Sequence, residues 1–122
     1  MITFDTGALI ALQSRRQRMV KVFAVAREQK VPMFVPAVAV AEWWRKRTDR
    51  AEEILHAMRV EQTDTLLMRV AGEAIAAVKD AGTVDAIVMA TAARRGGVIY
   101  TSDVDDLVAL TQVFPEVRVL HC

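Results

Sequence analysis

Short apolar runs alternate with amphipathic segments along the whole chain, and this alternation limits the fold more than any other feature. Strands that alternate with helices build a parallel sheet covered on both faces. Strands are predicted over residues 1–5, 31–35, 60–62, 98–101 and 117–120. Helices are predicted over residues 6–12, 15–29, 36–47, 49–57, 64–82, 83–95 and 105–112, with caps at Asp64 and Thr83 and ends at Gly82 and Gly96-Gly97.

The length and composition predict a single globular domain over residues 1–122. Hydrophobic residues make up 53% and charged residues 25%, which excludes a disordered chain. Cys122 is the only cysteine, so no internal disulfide forms and a reducing cytoplasm suits the chain. No apolar run is long enough to cross a bilayer, and no secretory leader is recognisable. We therefore expect a cytoplasmic protein without a membrane anchor.

Four acidic residues, Asp5, Glu42, Asp85 and Asp103, each lie where a strand-like run gives way to a turn or helix, with Glu42 one to two turns into its helix. The carboxyl ends of parallel strands lie at one edge of a sheet, so these side chains are expected to meet there. Clustered carboxylates repel each other unless they are protonated or bind a cation, and hard oxygen ligands suit Mg²⁺ or Mn²⁺. This pattern predicts metal-assisted phosphoryl chemistry.

Each acid also has a purely structural explanation. Asp5 is placed to cap a helix, Asp85 to interact with a helix dipole, and Asp103 to form an Asx turn. Glu42 is harder to explain in this way, because it stands in the otherwise apolar run AVAVAEWW. No Ser–His–Asp arrangement can be recognised around His56 or His121, so a side-chain nucleophile is not expected.

The charge is unevenly distributed, although the net charge is only +1. Residues 1–61 carry 11 Lys or Arg and 7 Asp or Glu, a balance of +4, whereas residues 62–122 carry 5 and 8, a balance of −3. A basic surface beside an acidic pocket suits a phosphate backbone, and solvated helix faces are the simpler explanation. Arg45, Lys46 and Arg47 follow Glu42 and are candidate contacts for a phosphate backbone. Of the neighbours Trp43 and Trp44, only one can face the core.

The segments DTGAL, AEWWR, VDAIVMATAA and TSDVDDL, in this order, resemble the motifs of PIN-domain nucleases, and the short chain is similar to the VapC toxins of bacterial toxin–antitoxin pairs. The resemblance implies an α/β/α sandwich around a parallel sheet of about five strands. It implies Mg²⁺- or Mn²⁺-dependent hydrolysis of RNA, a homodimer and an antitoxin partner. It also implies site residues: the metal-binding acids Asp5, Glu42, Asp85 and Asp103, with Asp106 favoured over Asp105 as a fifth, and the supporting hydroxyls of Thr6 and Thr101 or Ser102.

Three other classes of protein share part of this pattern. A phosphoacceptor receiver domain would end its first strand in paired acids and its last in Lys, but Asp5 precedes Thr6 and Gly7, and VRVLHC has no Lys. A dehalogenase-type phosphatase would need a second acid at Gly7. A catalytically inactive binding module on the PIN fold remains an alternative, although all four acids are present.

Overall fold

The computed structural model describes residues 1–95 and 97–122, and a five-stranded parallel sheet lies at its centre. The strands are β1 (Ile2–Phe4), β2 (Met33–Pro36), β3 (Arg59–Glu61), β4 (Val98–Thr101) and β5 (Arg118–His121). Their order across the sheet is β3-β2-β1-β4-β5, and every neighbouring pair is parallel. After β1, the chain adds β2 and β3 on one side of it. It then returns and adds β4 and β5 on the other side of β1. The junction of β1 and β4 is therefore the topological switch point, where open α/β sheets place their sites.

Seven helices and one 3₁₀ turn connect these strands in the described part of the chain. They are α1 (Thr6–Gln13), α2 (Gln17–Glu28), α3 (Ala37–Trp43), α4 (Asp49–His56), α5 (Thr65–Ala77), α6 (Thr83–Arg94), α7 (Val104–Ala109) and the 3₁₀ turn Leu110–Gln112. The core is divided into two clusters of buried side chains, one drawn from α1–α4 and one from α5–α7. This is the predicted α/β/α sandwich, and none of these helices is long and apolar enough to cross a bilayer.

Several local predictions are confirmed by the structure. The stripe of Met19, Phe23 and Ala26 is buried along α2. Asp64 caps α5, because its Oδ1 accepts a hydrogen bond of 2.8 Å from the Leu67 amide. Trp43 is buried, whereas Trp44 is only partly buried and meets it edge-on with ring centroids 5.7 Å apart.

Other local predictions are wrong. The helix expected over residues 36–47 ends at Trp43, because the Trp44 backbone turns to an extended conformation and Thr48 caps a new helix by accepting from the Ala51 amide. Gly82, rather than Thr83, occupies the N-cap of α6. Leu66, expected on the buried face of α5, is 66% exposed. The last helix starts at Val104 and breaks into a 3₁₀ turn. Gly96, part of the predicted Gly96-Gly97 helix end, lies outside the described residues.

A network of ion pairs joins the edge strand β3 to the end of α6. The buried Glu61 carboxylate accepts hydrogen bonds of 2.7 and 2.9 Å from Arg95 and 3.1 Å from Arg94. Arg94 also forms a bidentate pair with Asp64 at 2.8 and 2.9 Å. The hydrogen bond from Arg95 lowers the pKa of Glu61, with the Arg94 bond and both positive charges adding to this and burial opposing it. Glu61 is therefore held ionised by the structure.

We predict that Glu61→Gln lowers the melting temperature at neutral pH. The free energy of unfolding should fall by about 1–3 kcal/mol. This is less than for a deeply buried ion pair, because the arginines can still reach water. A lowered carboxyl pKa stabilises the folded state above the unfolded pKa and loses this effect as pH falls through the folded value. The difference between wild type and variant should thus shrink below about pH 4. Thermal unfolding between pH 3 and 7 measures it, with the exposed Glu73→Gln as the matched control.

Candidate metal centre

A cavity of about 300 Å³ opens at the carboxyl ends of β1 and β4. Carboxylates from four separate segments line it: Asp5 after β1, Glu42 on α3, Asp85 on α6 and Asp103 after β4. Thr6, Gly7 and Ser102 lie between them. The structure therefore brings together the four acids that are far apart in the sequence. They meet at the junction of β1 and β4, the topological switch point of the sheet.

Asp5 is the most enclosed of these acids, with 7% of its surface exposed. Its Oδ1 accepts a hydrogen bond of 2.9 Å from the Ala8 amide and so caps α1, as a purely structural role would require. The same carboxyl group lines the cavity, so capping and a site role are compatible. Burial raises the pKa of Asp5, hydrogen bonds from Thr101 and Ala8 oppose the rise, and the charges of Asp103 and Asp85 add to it.

Glu42 is fixed against the first turn of α1. The Thr6 hydroxyl donates a hydrogen bond of 2.7 Å to Glu42 Oε1. The neighbouring Trp43 donates from Nε1 to Gln13 Oε1 at 3.0 Å, at the other end of α1. The C-terminal end of α3 is therefore attached to both ends of α1. Glu42 itself is exposed, which explains why a charged side chain is tolerated in an apolar run.

Asp85 lies in the first turn of α6, as expected, and is partly buried. Burial is the largest cause that raises the pKa of its carboxyl group, followed by the negative charges of Asp106, Asp103 and Glu42. Three carboxylates are therefore close enough to Asp85 for their repulsion to matter, and two of the site's acids act in the same way on Asp5. A group of this kind favours either a proton or a cation.

Asp103 occupies the N-cap position of α7 but makes no capping hydrogen bond with its side chain. Instead, its amide donates to the Thr101 hydroxyl at 2.8 Å, so the local turn is closed by Thr101 rather than by an Asx turn at Asp103. The Asp103 carboxylate is thus left to face the cavity. Thr101 is fully buried, and its hydroxyl opposes the rise that burial causes in the pKa of Asp5.

The close approach of α1 to the turn after β4 depends on Gly7. A Cβ built at this position would overlap the Ser102 hydroxyl. The absence of a side chain at Gly7 lets Ser102 and Asp103 lie against the start of α1. The sequence segment DTGAL therefore carries a packing requirement as well as an acid and a hydroxyl.

Asp105 and Asp106 both line a second cavity, of about 370 Å³, which also includes Ser102, Asp103 and His121. Only Asp106 of the two adds to the charges that raise the pKa of Asp85. This agrees with the placement of Asp106 one helical turn beyond Asp103. The position favours Asp106 over Asp105 as a fifth acid.

The three basic residues predicted to contact RNA lie elsewhere. Arg45 donates to the main-chain oxygens of Ala41 and Trp44, at 3.3 and 3.0 Å, and Arg47 pairs with Glu52 at 3.0 Å. Neither these two nor Lys46 lines the acidic cavity. Sequence reasoning missed Arg16, which lines a cavity that adjoins the acidic one. No local motif marks this residue, because it reaches the site only through the turn between α1 and α2.

The donor set agrees in its chemistry with a hard divalent cation, since carboxylate and hydroxyl oxygens are the ligands that Mg²⁺ and Mn²⁺ prefer. Across residues 1–95 and 97–122, no three His, Cys, Asp or Glu side chains form a ready-made ligand cluster. The acids surround the cavity rather than converge on one point. A cation would draw them inward and would relieve the repulsion that raises the pKa of Asp85.

Comparisons with solved structures show the same fold. One chain of VapBC2 from Rickettsia felis, solved with a DNA fragment from their promoter, superposes with a TM-score of 0.78 at 11% identity, covering 100% of this chain and 99% of that one. A chain of DNA-bound VapBC from Salmonella typhimurium gives 0.73 at 16% identity, covering 98% and 96%. A chain of FitAcB from Neisseria gonorrhoeae gives 0.64 at 19% identity, covering 98% and 96%.

A search of curated protein sequences finds no significant match. The family model described as "PIN domain", by contrast, matches residues 2–110, which contain β1 to β4, α1 to α7 and all five candidate acids. The chain belongs to the PIN domain family.

Proposed function

We propose that this protein is a metal-dependent endoribonuclease and the toxin of a toxin–antitoxin pair. The observation that carries the proposal is the ring of carboxylates at the β1–β4 junction, where burial and like charges raise the pKa of Asp5 and Asp85. Membership of the PIN family supports a nuclease and sets aside the receiver and dehalogenase-type alternatives. A catalytically inactive module remains the rival that experiment has to exclude.

Asp5, Glu42, Asp85 and Asp103, with Asp106 beside them, are the residues that would hold Mg²⁺ or Mn²⁺. A bound ion would supply Lewis-acid polarisation of the phosphate and a lower pKa for an attacking water. The chain itself contributes position and charge. Thr6 holds the Glu42 carboxylate, and the Ala8 amide holds that of Asp5, so both present fixed oxygens to the cavity. No side-chain nucleophile is needed.

The proposed partner is a small antitoxin, and the toxin is proposed to be a homodimer. Support comes from the similar structures, three of which are VapBC or FitAB assemblies bound to DNA. The acidic cavity adds a physical reason, because an Arg or Lys of a partner would find unneutralised carboxylates there. Charge-assisted hydrogen bonds of this kind are among the strongest that proteins form. Such a side chain would also compete with a metal for the same oxygens.

One prediction concerns the raised pKa of Asp85, which burial and the neighbouring carboxylates cause. A raised carboxyl pKa means that the folded state binds protons more tightly than the unfolded state. Stability should therefore fall as pH rises from about 3.9 through the raised value. Asp85→Asn removes this penalty and should raise the metal-free melting temperature at pH 7 by a few degrees. The gain should disappear near pH 3.

Divalent metal should reverse the order of stability, because it stabilises wild type more than Asp85→Asn. A ligand at about 100 times its Kd adds about 2.7 kcal/mol to stability. Mn²⁺ or Mg²⁺ at millimolar concentration should therefore raise the melting temperature of wild type by more than that of Asp85→Asn. The control is Asp80→Asn, which removes the same charge outside the cavity at a residue with φ of 64°, a backbone conformation that Asn tolerates. Equal metal shifts in wild type and Asp85→Asn would contradict the assignment.

The second prediction concerns cleavage. Glu42→Gln and Asp103→Asn keep side-chain size but remove a negative ligand, so each should slow cutting of a single-stranded RNA by at least about 100-fold. EDTA should stop cutting by wild type. Asp5→Asn should slow cutting in the same way. Because Asn also caps helices, this variant keeps the cap of α1 and tests the loss of charge without a loss of folding. Gel-based rates measure the effect, and wild-type rates in all three variants would disprove the site.

The third prediction concerns the partner. A small DNA-binding protein encoded beside this chain's gene should bind wild type more tightly than the double variant Asp85→Asn, Asp103→Asn. Loss of two charge-assisted contacts should weaken binding by roughly 10-fold or more. Calorimetric titration measures the affinity, and Asp80→Asn is again the charge-matched control. Equal affinities would rule out inhibition through the carboxylates and leave only steric blocking.

A further inference from the structure

The acidic cavity is continuous with a smaller one that differs from it in charge. This second cavity has a volume of about 190 Å³ and is lined by Gly7, Ile10, Ala11, Ser14, Arg16, Ser102 and Cys122. Gly7, Ile10 and Ser102 line both cavities and form the passage between them. We call the smaller cavity the Arg16 cavity.

Arg16 is the only Lys or Arg among the residues, within the described chain, that line either the acidic cavity or the Arg16 cavity. The residue is exposed and lies at the N-cap of α2, where its side chain makes no capping hydrogen bond. Its Nη1 donates to the main-chain oxygen of Cys122 at 3.4 Å, a long hydrogen bond that uses one of five guanidinium donors. Most of its hydrogen-bonding capacity therefore faces the cavity and solvent.

The other side of the acidic cavity is unsuitable for a phosphate chain. The neighbouring cavity there is lined by Asp103, Asp105 and Asp106, and these carboxylates would repel phosphates. Arg45 and Arg47, in turn, already bind the end of α3 and Glu52. Of these two cavities beside the acidic one, only the Arg16 cavity has a Lys or Arg in its lining among the described residues.

The passage itself fits a nucleic-acid backbone. Gly7 lets Ser102 pack directly against the start of α1, and both residues line the two cavities. Ile10 stands at the junction with 50% of its surface exposed, which offers an apolar surface to a ribose or base. The Ser102 hydroxyl offers a hydrogen bond to a phosphate oxygen.

We propose that Arg16 binds a phosphate of the single-stranded RNA next to the one held by the acids, so that the strand enters or leaves over Gly7 and Ser102. This inference rests on the proposed nuclease function and gives the substrate a direction that the acids alone do not supply. Arg16 acts on binding rather than on the bond that breaks, because it lines the adjoining cavity and not the acidic one.

Kinetics with an RNA oligonucleotide and Mn²⁺ test the proposal. Arg16→Gln should raise KM by roughly 3- to 10-fold and leave kcat within about twofold, as expected when uniform binding is lost. The slope of log affinity against log salt should fall by about 0.7, the value for one phosphate of a single strand. Arg16→Lys, which keeps the charge, should restore most of the affinity. The matched control Arg15→Gln removes the neighbouring exposed charge, which lines neither cavity, and should change neither quantity.

Neutral linkages in the RNA locate the contact. One methylphosphonate, moved along the strand, should weaken binding to wild type at one position beside the cut, and should have no further effect there on Arg16→Gln. Anisotropy with the same RNA strand in EDTA, which stops metal-dependent cutting, decides the inference even without turnover. Weaker RNA binding by Arg16→Gln than by wild type supports the proposal. Equal RNA binding by Arg16→Gln and Arg15→Gln overturns it. Absence of cutting by wild type in Mn²⁺ would instead count against the proposed function.

Discussion

The parallel pairing of β1 with β4 is the constraint on which the rest of the structure depends. It aligns Ile2, Thr3 and Phe4 with Val98, Ile99 and Tyr100, so both strands end at the same level. Asp5 follows the first strand, Asp103 lies two residues after the second, and the Asp5 amide donates to the Tyr100 oxygen at 3.3 Å. Acids almost a hundred positions apart are thereby held at the same edge of the sheet by main-chain hydrogen bonds, which no substitution of the acids themselves would remove.

Two groups of acids in this protein are held in opposite electrostatic states. Glu61 lies against two arginines that lower its pKa, so its charge is satisfied and contributes to stability. Asp5 and Asp85 have raised pKa values, because burial and neighbouring carboxylates oppose their ionisation. The first arrangement needs nothing from outside the chain. The second is complete only with a proton, a cation or a basic group of another molecule, and this contrast distinguishes a structural network from a candidate site.

Hydrogen bonds around the acidic cavity limit how far it can rearrange. Thr6 binds Glu42, Thr101 binds the amide of Asp103, and Trp43 binds Gln13 at the far end of α1. The first and last of these contacts join α1 to α3, the second closes the turn after β4, and Gly7 lets Ser102 of that turn pack against α1. A cation would therefore be expected to move side chains, rather than helices, when it draws the acids together.

The sequence alone determined the element order, the parallel sheet and the acids to be placed at its edge. Strand and helix periodicity are local properties, and strands that alternate with helices form a parallel sheet. The residues of the four acidic motifs were also readable, because each motif is contiguous. Helix ends were less predictable: the helix after β2 stops at Trp43 because Thr48 begins another, and two competing start and stop signals cannot be ranked without their tertiary contacts.

Only the tertiary structure decided what surrounds the acids. It directed Arg45 and Arg47 to partners of their own and brought Arg16 beside the cavity, although the sequence made the first two the better candidates. It also placed Asp106 where its charge adds to the rise that burial causes in the pKa of Asp85, and it closed the turn after β4 with Thr101, so that the Asp103 side chain does not cap α7. Local sequence fixes which groups a segment carries. Electrostatic coupling and cavity lining depend on distances between segments, and those exist only once the chain has folded.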